Sequence, residues 1–504
     1  MQASEISNRR LPRWCERATI GCILLMAVFA PHSIAATQTF WLLGLVFSIL
    51  RFAFRPRPKL FRTPVDYWLL GFFILSGVSG VFSYSPIVSI GKMRAASLFT
   101  IVYLVAENVR WLRLVHVLAL TLVASCMVNV FLTAGELALG RGVKVEGVSA
   151  QSPLAQAVFE TRTVKQPTPI QNGDTVWLVD GHSVSTPDEL AAALASGGSA
   201  TAKVSIYRVE WTPVLEVPRG KLLPGSTALD QLGISGWSRG RDWRATGFYG
   251  HWVTYAEVLQ LIASLALGLL LAAPRKNSRY GWLLLFAVAG LVFALVMTLT
   301  RASWIGFAVS VAVMLMMSAS RRALLIAGVC AIPLVLGGVI LLQQKRNVTF
   351  VDANDQSTSW RETVWREGFQ LLVSKPRHLL VGVGMDSIKG HWREWGLFDN
   401  GRLPIGHMHS NLLQIALERG VPALIVWLIL LGVYGRMLVR LVRTDGLNEI
   451  RGVALGALGG LVGFFTSGLV HYNWGDSEVV MVFYFIMGLS LVVQRIVRGE
   501  VQGS

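Results

Sequence analysis

The 504-residue chain has few charged residues and few cysteines. Only 15% of its residues are charged, 53% are hydrophobic, and the mean hydropathy is +0.53. Soluble domains are about one quarter charged, so a soluble globular protein is not expected. Intrinsic disorder requires low hydrophobicity and is excluded. Four cysteines are too few for a disulfide-stabilised secreted scaffold. The class that remains is an all-α polytopic membrane protein.

Basic residues are in excess, with 46 Lys and Arg against 29 Asp and Glu and a net charge of +17. Such a charge can indicate nucleic-acid binding, but the apolar background argues against nucleic acid as a partner. About twelve apolar segments are of a length that can cross roughly 30 Å of hydrocarbon. They are predicted at 18–35, 39–53, 66–84, 89–106, 112–134, 252–273, 281–299, 303–319, 322–343, 409–435, 452–471 and 478–494.

The basic residues lie at alternate ends of these spans. Arg9 to Arg17 precede the first span, Arg51 to Arg62 follow the second, and similar groups follow spans four, six, eight, ten and twelve. The positive-inside rule then places both termini in the cytoplasm. The first span ends in Ser33-Ile34-Ala35-Ala36, which resembles a signal-peptidase site. Cleavage there would leave the basic loop 51–62 on the wrong side, so we predict an uncleaved span.

The cysteines give no sign of a disulfide. Cys15, Cys22, Cys126 and Cys330 all lie in or beside predicted spans. We expect all four to be structural.

A domain-sized insertion is predicted at 135–240, outside the cytoplasm. Short strands are expected at 143–145, 175–179 and 202–207, with a helix from Pro187 to Leu194. The run from Gly173 to Val184 resembles part of a PDZ domain, which would cover about 140–215. PDZ domains bind peptides by strand addition, so the resemblance implies a peptide or protein partner. The segment 138–142 departs from the usual carboxylate-binding loop, and a purely structural role is the alternative.

Polar residues cluster at the non-cytoplasmic ends of the predicted spans. The candidates are Arg244, His251, Arg301, Arg361, Trp365, His409, Asp476 and Glu478, with Lys92 and Arg94 at the outer end of span four. Guanidinium groups bind phosphate oxygens in pairs, so converging arginines predict a diphosphate ligand. His409 is a candidate general base because imidazole titrates near neutral pH. The alternatives are interfacial or solvated charges and, for Asp476 and Glu478, helix capping.

These clusters resemble motifs of the O-antigen ligase and polymerase superfamily of bacterial envelope glycosyltransferases. The resemblance covers about 240–490. It rests on Arg244–His251 with Thr254–Ala256, on Thr300–Gly306, on Arg361 and Trp365 with Gly382–Gly384, and on His409-Ser410 followed after nine residues by Gly420. Ala423 stands where the family has a further small residue. The motifs do not separate ligases from polymerases, although Asn473–Glu478 looks more like ligases.

The resemblance implies a GT-C-like fold of twelve helices at the bacterial inner membrane, with a periplasmic active site. It also implies transfer of a glycan from undecaprenyl diphosphate to an acceptor sugar, most simply the lipid A core. Arg301 and Arg361, with Arg244, would hold the diphosphate. His409 would take the acceptor proton or position the diphosphate, and Asp476 would orient His409 or the acceptor. The sequence has no Asp-x-Asp motif, so neither a metal nor a cofactor is expected.

Other functions stay open at this point. A glycan polymerase and a protein O-oligosaccharyltransferase use similar chemistry. A lipid transporter would favour repeated halves and mid-span charge pairs, and neither is evident in the sequence. A scaffold built around the insertion would leave the polar clusters unexplained. The expected organisation is spans one to five in 1–134, the insertion in 135–240, spans six to nine in 241–343, a large periplasmic loop with part of the site in 344–408, and spans ten to twelve in 409–504.

Overall fold

The structure is a computed structural model that describes residues 2–55, 57–58, 60–160, 165–208, 211–318, 356–444 and 447–499. The chain divides into two compact units. Among the described residues, the first unit contains those within 2–130, 246–318 and 356–499, and the second contains those within 131–245. The described part of the first unit is helical, and that of the second is built on a β-sheet.

Long apolar helices dominate the first unit. The described helices of this unit, long and short, include α1 (Gln2–Phe29), α2 (Ile34–Arg51), α3 (Asp66–Val81), α4 (Pro86–Gly91), α5 (Met93–Ala96), α6 (Thr100–Asn108) and α7 (Leu112–Leu139, which continues into the second unit). After the second unit, which contains α8 (Pro187–Ala195) and α9 (Ala228–Leu232), follow α10 (Trp252–Ala272), α11 (Arg279–Met297), α12 (Arg301–Ser318), α13 (Gln356–Val373), α14 (Pro376–Val381), α15 (Ile388–His391), α16 (Asn411–Arg419), α17 (Val421–Arg443), α18 (Asn448–Ser467) and α19 (Ser477–Val497). In the part of the chain that the structure describes, nine helical segments can cross a membrane by length and composition. The chain is therefore a multi-pass membrane protein.

Eleven of the twelve predicted spans overlap one of these helices. The predicted span 322–343, like Cys330, lies outside the described residues, so the count of twelve is unconfirmed. Spans seven and eight, which nearly merge in the sequence, are separated by Thr298–Thr300, where Leu299 has a positive φ of 52°. The other three cysteines are buried and free.

The predicted span 409–435 is wrong as one continuous helix. The chain forms α16 and then α17, with a break at Gly420, where φ is 85° and ψ is 161°. A Cβ atom at Gly420 would lie 2.4 Å from the carbonyl oxygen of Leu380, so only glycine fits. The amides of Val383 and Gly384 donate to the carbonyls of Leu417 and Glu418 at 2.8 and 3.0 Å. These bonds satisfy the end of α16 and explain why it stops there.

The helices α10, α18 and α19 are the most buried of the apolar helices. On α18, Gly452, Gly456 and Gly460 recur every four residues and face α10. A Cβ atom at Gly456 would lie 2.7 Å from the Cα atom of Leu265, so the two backbones are in close contact. Small residues at this spacing allow membrane helices to pack by van der Waals contact. The closely packed pair of α10 and α18 carries Glu257, near the start of α10, and Ser467, at the end of α18.

The second unit contains an antiparallel sheet. Its strands are β1 (Arg141–Val148), β2 (Val158–Glu160), β3 (Lys165–Pro167), β4 (Thr175–Val179), β5 (His182–Ser183), β6 (Thr201–Tyr207), β7 (Val214–Pro218) and β8 (Ile234–Gly240), with helices α8 (Pro187–Ala195) and α9 (Ala228–Leu232). The order is β3-β2-β7-β6-β4-β1-β8, with β5 beside β4. The three predicted strands and the predicted helix are present.

The PDZ-like identity of this unit is not confirmed. The strand β8 pairs with β1 from Arg141 to Val148, so the chain itself occupies the edge of β1 that faces away from β4. Ala138 and Leu139, expected in a carboxylate-binding loop, form the last turn of α7 instead. The apolar helix pattern of α7 simply continues to that point. A peptide partner for this unit stays a prediction.

Candidate functional site

Two histidines lie together in the loop before α16. The rings of His407 and His409 are 4.0 Å apart, and the ring of Trp360 contacts His409 edge-on at 4.3 Å. His409 has a positive φ of 47°, which is rare for a residue other than glycine. The backbone amide of His409 donates to Nδ1 of His407 at 3.2 Å. Neutral His407 therefore carries its proton on Nε2.

Both imidazoles are held neutral. Burial, followed by the positive charge of Lys389, lowers the pKa of His407 to about 4. Burial, followed by His407 and Arg361, lowers the pKa of His409 to about 2. In the described part of the chain, the ring nitrogens of His409 have no hydrogen-bond partner. A neutral imidazole with a free nitrogen can accept a proton.

The helix α13 supports this loop from one side. The indole N–H of Trp365 donates to the carbonyl of Met408 at 2.7 Å, which fixes the residue between the two histidines. Trp360 and Arg361 lie one turn earlier on the same helix. The buried indole N–H of Trp360 has no hydrogen-bond partner among the described residues. It is a donor available to a ligand beside His409.

A buried ion pair lies at the end of α16. The carboxylate of Glu418 accepts from Arg419 at 3.0 Å and from the hydroxyl of Tyr472 at 3.2 Å. Its other oxygen accepts from the side-chain amide of Gln414 and from the backbone amide of Asp386, both at 2.9 Å. Four donors on one carboxylate compensate for its removal from water.

A cavity of about 380 Å³ opens beside these groups. Its polar lining includes Lys92, Lys389, Asp386, His407, Glu418, Arg419, Tyr472, Asp476 and Glu478, and its apolar lining includes Phe72, Ala95, Ala96, Leu98, Val480 and Tyr484. We call it the site cavity. Its lining therefore combines charged and apolar side chains.

Two lysines at the site cavity share one carboxylate. Lys92 and Lys389 lie 3.0 and 2.8 Å from Asp386. Burial alone would raise the pKa of Asp386, but the two lysines lower it below its ordinary value. Burial and the neighbouring Glu478 hold the pKa of Asp476 well above its usual range.

A second buried carboxylate connects the helices behind the loop. Glu257 on α10 accepts hydrogen bonds from four side chains: Ser303 at 3.1 Å, His471 at 2.9 Å, Ser467 at 2.7 Å and Asn473 at 3.0 Å. The amide of Asn411 donates to Asn473 at 2.6 Å. This chain of bonds joins the start of α12, and hence Arg301, to the segment that follows His409.

Four other predicted site residues lie at different places in the structure. Asp476, which precedes α19 and lines the site cavity, accepts a hydrogen bond from Thr254 on α10. His251 stacks on Trp252 and lowers the pKa of both loop histidines. Arg94 is exposed and is not in the lining of the site cavity. Arg244 is buried in the second unit, and it stays a prediction as a site residue.

The sequence interpretation missed Glu257, Glu418 and Arg419. All three lie inside segments predicted as continuous spans, where a charged residue is costly and therefore informative. The pair Glu418-Arg419 immediately before Gly420 was the available signal. It also means that the predicted span did contain a charge pair, although the break at Gly420 places that pair at a helix end. Within the described ranges, no three His, Cys, Asp or Glu side chains converge as metal ligands.

Comparison with known proteins connects this geometry to one family. Residues 284–428 match the family model described as O-Antigen ligase. That range contains Arg301, Arg361, His407, His409 and the Glu418-Arg419 pair. A search of curated proteins found no match to the chain.

Proposed function

We propose that this chain, whose residues 284–428 match the family model described as O-Antigen ligase, transfers a glycan from undecaprenyl diphosphate to the lipid A core. We place the reaction on the periplasmic face of the inner membrane. The observation that carries the proposal is the neutral His409, whose ring contacts His407 in the lining of a cavity that combines Lys92, Lys389 and Arg419 with apolar side chains. A glycosyltransferase that uses a lipid-linked donor requires both features.

The site cavity suits an amphipathic diphosphate. Lys92, Lys389 and Arg419 supply positive charge, while Phe72 and Leu98 belong to its apolar wall. A diphosphate attracts the lysines away from Asp386, and the first isoprene units replace water at the apolar wall. Burial of Arg419 beside Glu418 keeps that guanidinium fixed.

The protonation state of His409 favours the role of base. Burial opposes a protonated imidazolium, so His409 would contact the diphosphate only as a neutral N–H donor. As a base, His409 takes the proton of the acceptor hydroxyl while the hydroxyl oxygen attacks the anomeric carbon. The bond from that carbon to the diphosphate oxygen breaks, and the diphosphate leaves with the electron pair. The bound diphosphate raises the pKa of His409 because it brings negative charge close to the ring.

The arginines act on the leaving group. Arg361 lies close enough to His409 for its positive charge to lower the pKa of that histidine. Arg301 begins α12, two residues before the Ser303 hydroxyl that binds Glu257. Both would stabilise the charge that grows on the diphosphate, which is commonly the largest contribution to such catalysis.

A gel of envelope glycolipids from a deletion strain tests the proposal. Loss of polymer on the lipid A core, with lipid-linked polymer accumulating, is the expected result. A single repeat unit left on the core would assign the chain as a polymerase instead. An unchanged glycolipid pattern would overturn both assignments.

A further inference from the structure

A second cavity lies at the opposite end of two helices that contribute to the site. The helix α17 begins next to Gly420, and α19 begins next to Asp476. With a rise of 1.5 Å per residue, Arg440 on α17 lies roughly 30 Å from Gly420. The far ends of these helices enclose a cavity of about 400 Å³, which we call the arginine cavity.

The lining of the arginine cavity combines cations with apolar side chains. It consists of Pro64, Val433, Arg436, Met437, Arg440, Leu441, Thr444, Gln494, Val497 and Arg498. Arg436 and Arg440 are four residues apart and lie on the same face of α17. Arg498 comes from the end of α19. Among the described residues, the lining contains three guanidinium groups and no carboxylate.

Arg436 and Arg440 differ from the nearby Arg495 in the contacts of their side chains. Arg495, three residues before Arg498, is buried, donates to the carbonyl of Ala106 and lies over the ring of Phe61. The positive charge of Arg495 is therefore stabilised by contacts inside the protein. In the described ranges, the side chains of Arg436 and Arg440 form no hydrogen bond or ion pair, and both are exposed. Their charges are therefore available to a ligand.

We propose that the arginine cavity binds the phosphate headgroup of an anionic phospholipid. Guanidinium groups bind phosphate oxygens in pairs, and basic pockets between membrane helices attract anionic headgroups. The apolar side chain of Val433 lies three residues nearer the middle of α17 than Arg436 and provides a surface for an acyl chain. A soluble phosphate compound would make no use of that surface, which is why we assign the lipid.

Lipid binding to the purified full-length protein in a nonionic detergent tests this assignment. Native mass spectrometry measures retention of dioleoyl phosphatidylglycerol, and dioleoyl phosphatidylcholine serves as the comparison with identical acyl chains. The variant R436Q/R440Q should bind phosphatidylglycerol about thirtyfold more weakly, equivalent to about 2 kcal/mol. Arg443 lies on the same helix end outside the cavity lining, so R443Q is the matched control and should change binding less than about threefold.

Several results would overturn the proposal. They are unchanged phosphatidylglycerol binding in R436Q/R440Q, an equal loss in R443Q, or equally tight binding of phosphatidylcholine. Displacement of the lipid by inorganic phosphate at an equal concentration would show that the ligand is a free anion. If R436Q/R440Q does not fold, R440Q alone carries the test, with an expected loss of about fivefold. Glycan transfer is not measured, so the result is independent of the proposed function.

Discussion

The buried pair Glu418–Arg419 gives the sharpest prediction of stability. Replacing Glu418 with Gln keeps the shape of the side chain and removes its charge. Only 5% of the Glu418 side chain and 9% of the Arg419 side chain are exposed, so the arginine would be left with little water and no counter-charge at 3.0 Å. Breaking one partner of a buried pair costs about 3–5 kcal/mol. We expect a loss near the lower end, about 3 kcal/mol, because the pair borders the site cavity.

The assay is equilibrium unfolding of the purified protein in mixed detergent micelles, which yields the free energy of unfolding. The matched control is the exposed pair of Asp399 and Arg402, whose side chains are 46% and 81% exposed and lie 3.7 Å apart. Asp399→Asn should cost less than about 1 kcal/mol, as surface pairs do. Combining Glu418→Gln with Arg419→Met removes both charges and should recover at least about half of the loss.

The reasoning would be refuted by a Glu418→Gln protein as stable as the wild type. It would also be refuted if Glu418→Gln and Asp399→Asn cost the same, because burial would then not matter. Failure of the double variant to recover stability would show that the hydrogen bonds to Tyr472 and Gln414 dominate, rather than the charge.

Three further predictions concern the loop and the helix break. Burial lowers the pKa of His407 from 6.5 to about 4, so only the unfolded chain gains this proton as the pH falls through that window. The free energy of unfolding should therefore decrease by up to about 1.4 kcal/mol per pH unit below pH 6.5, and His407→Gln should flatten that slope. Gly420→Ala should destabilise the protein by about 1–3 kcal/mol or more in the same assay, because φ is 85° and Leu380 blocks the Cβ atom. Trp365→Phe removes the hydrogen bond to Met408 and should lower kcat up to about tenfold in a purified transfer assay, while wild-type kcat would contradict the positioning role.

The sequence predicted the helices well because membrane spans have a strong and simple signal. Eleven spans overlap helices because about 20 apolar residues can satisfy their backbone groups in lipid only as a helix. The break between α16 and α17 was missed because hydropathy averages over a window and does not register one glycine with a positive φ. The contacts of Gly420 with Leu380, 40 residues earlier in the chain, make that break necessary.

The site was only partly predictable for a related reason. Polar residues next to apolar spans, such as His409 and Arg361, are visible in the sequence. Glu257 was not identified because its partners Ser303, Ser467 and Asn473 come from segments far apart in the chain. The low pKa of His409 could not be predicted from the sequence either, because it results from burial among Trp360, His407 and Arg361. A free imidazole would suggest a residue that titrates near neutral pH.

The central claim is that neutral His409 removes the acceptor proton during glycan transfer. The most direct measurement is kcat of purified His409→Ala protein with an undecaprenyl-diphosphate-linked glycan donor and a lipid A core acceptor. The account predicts a decrease of about 10²–10⁴-fold with donor binding retained. It predicts wild-type kcat in His391→Ala, because the ring of His391 lies against Tyr84 and Trp395 and not against His407. A His409→Ala protein that keeps more than about a third of the wild-type kcat would contradict the account.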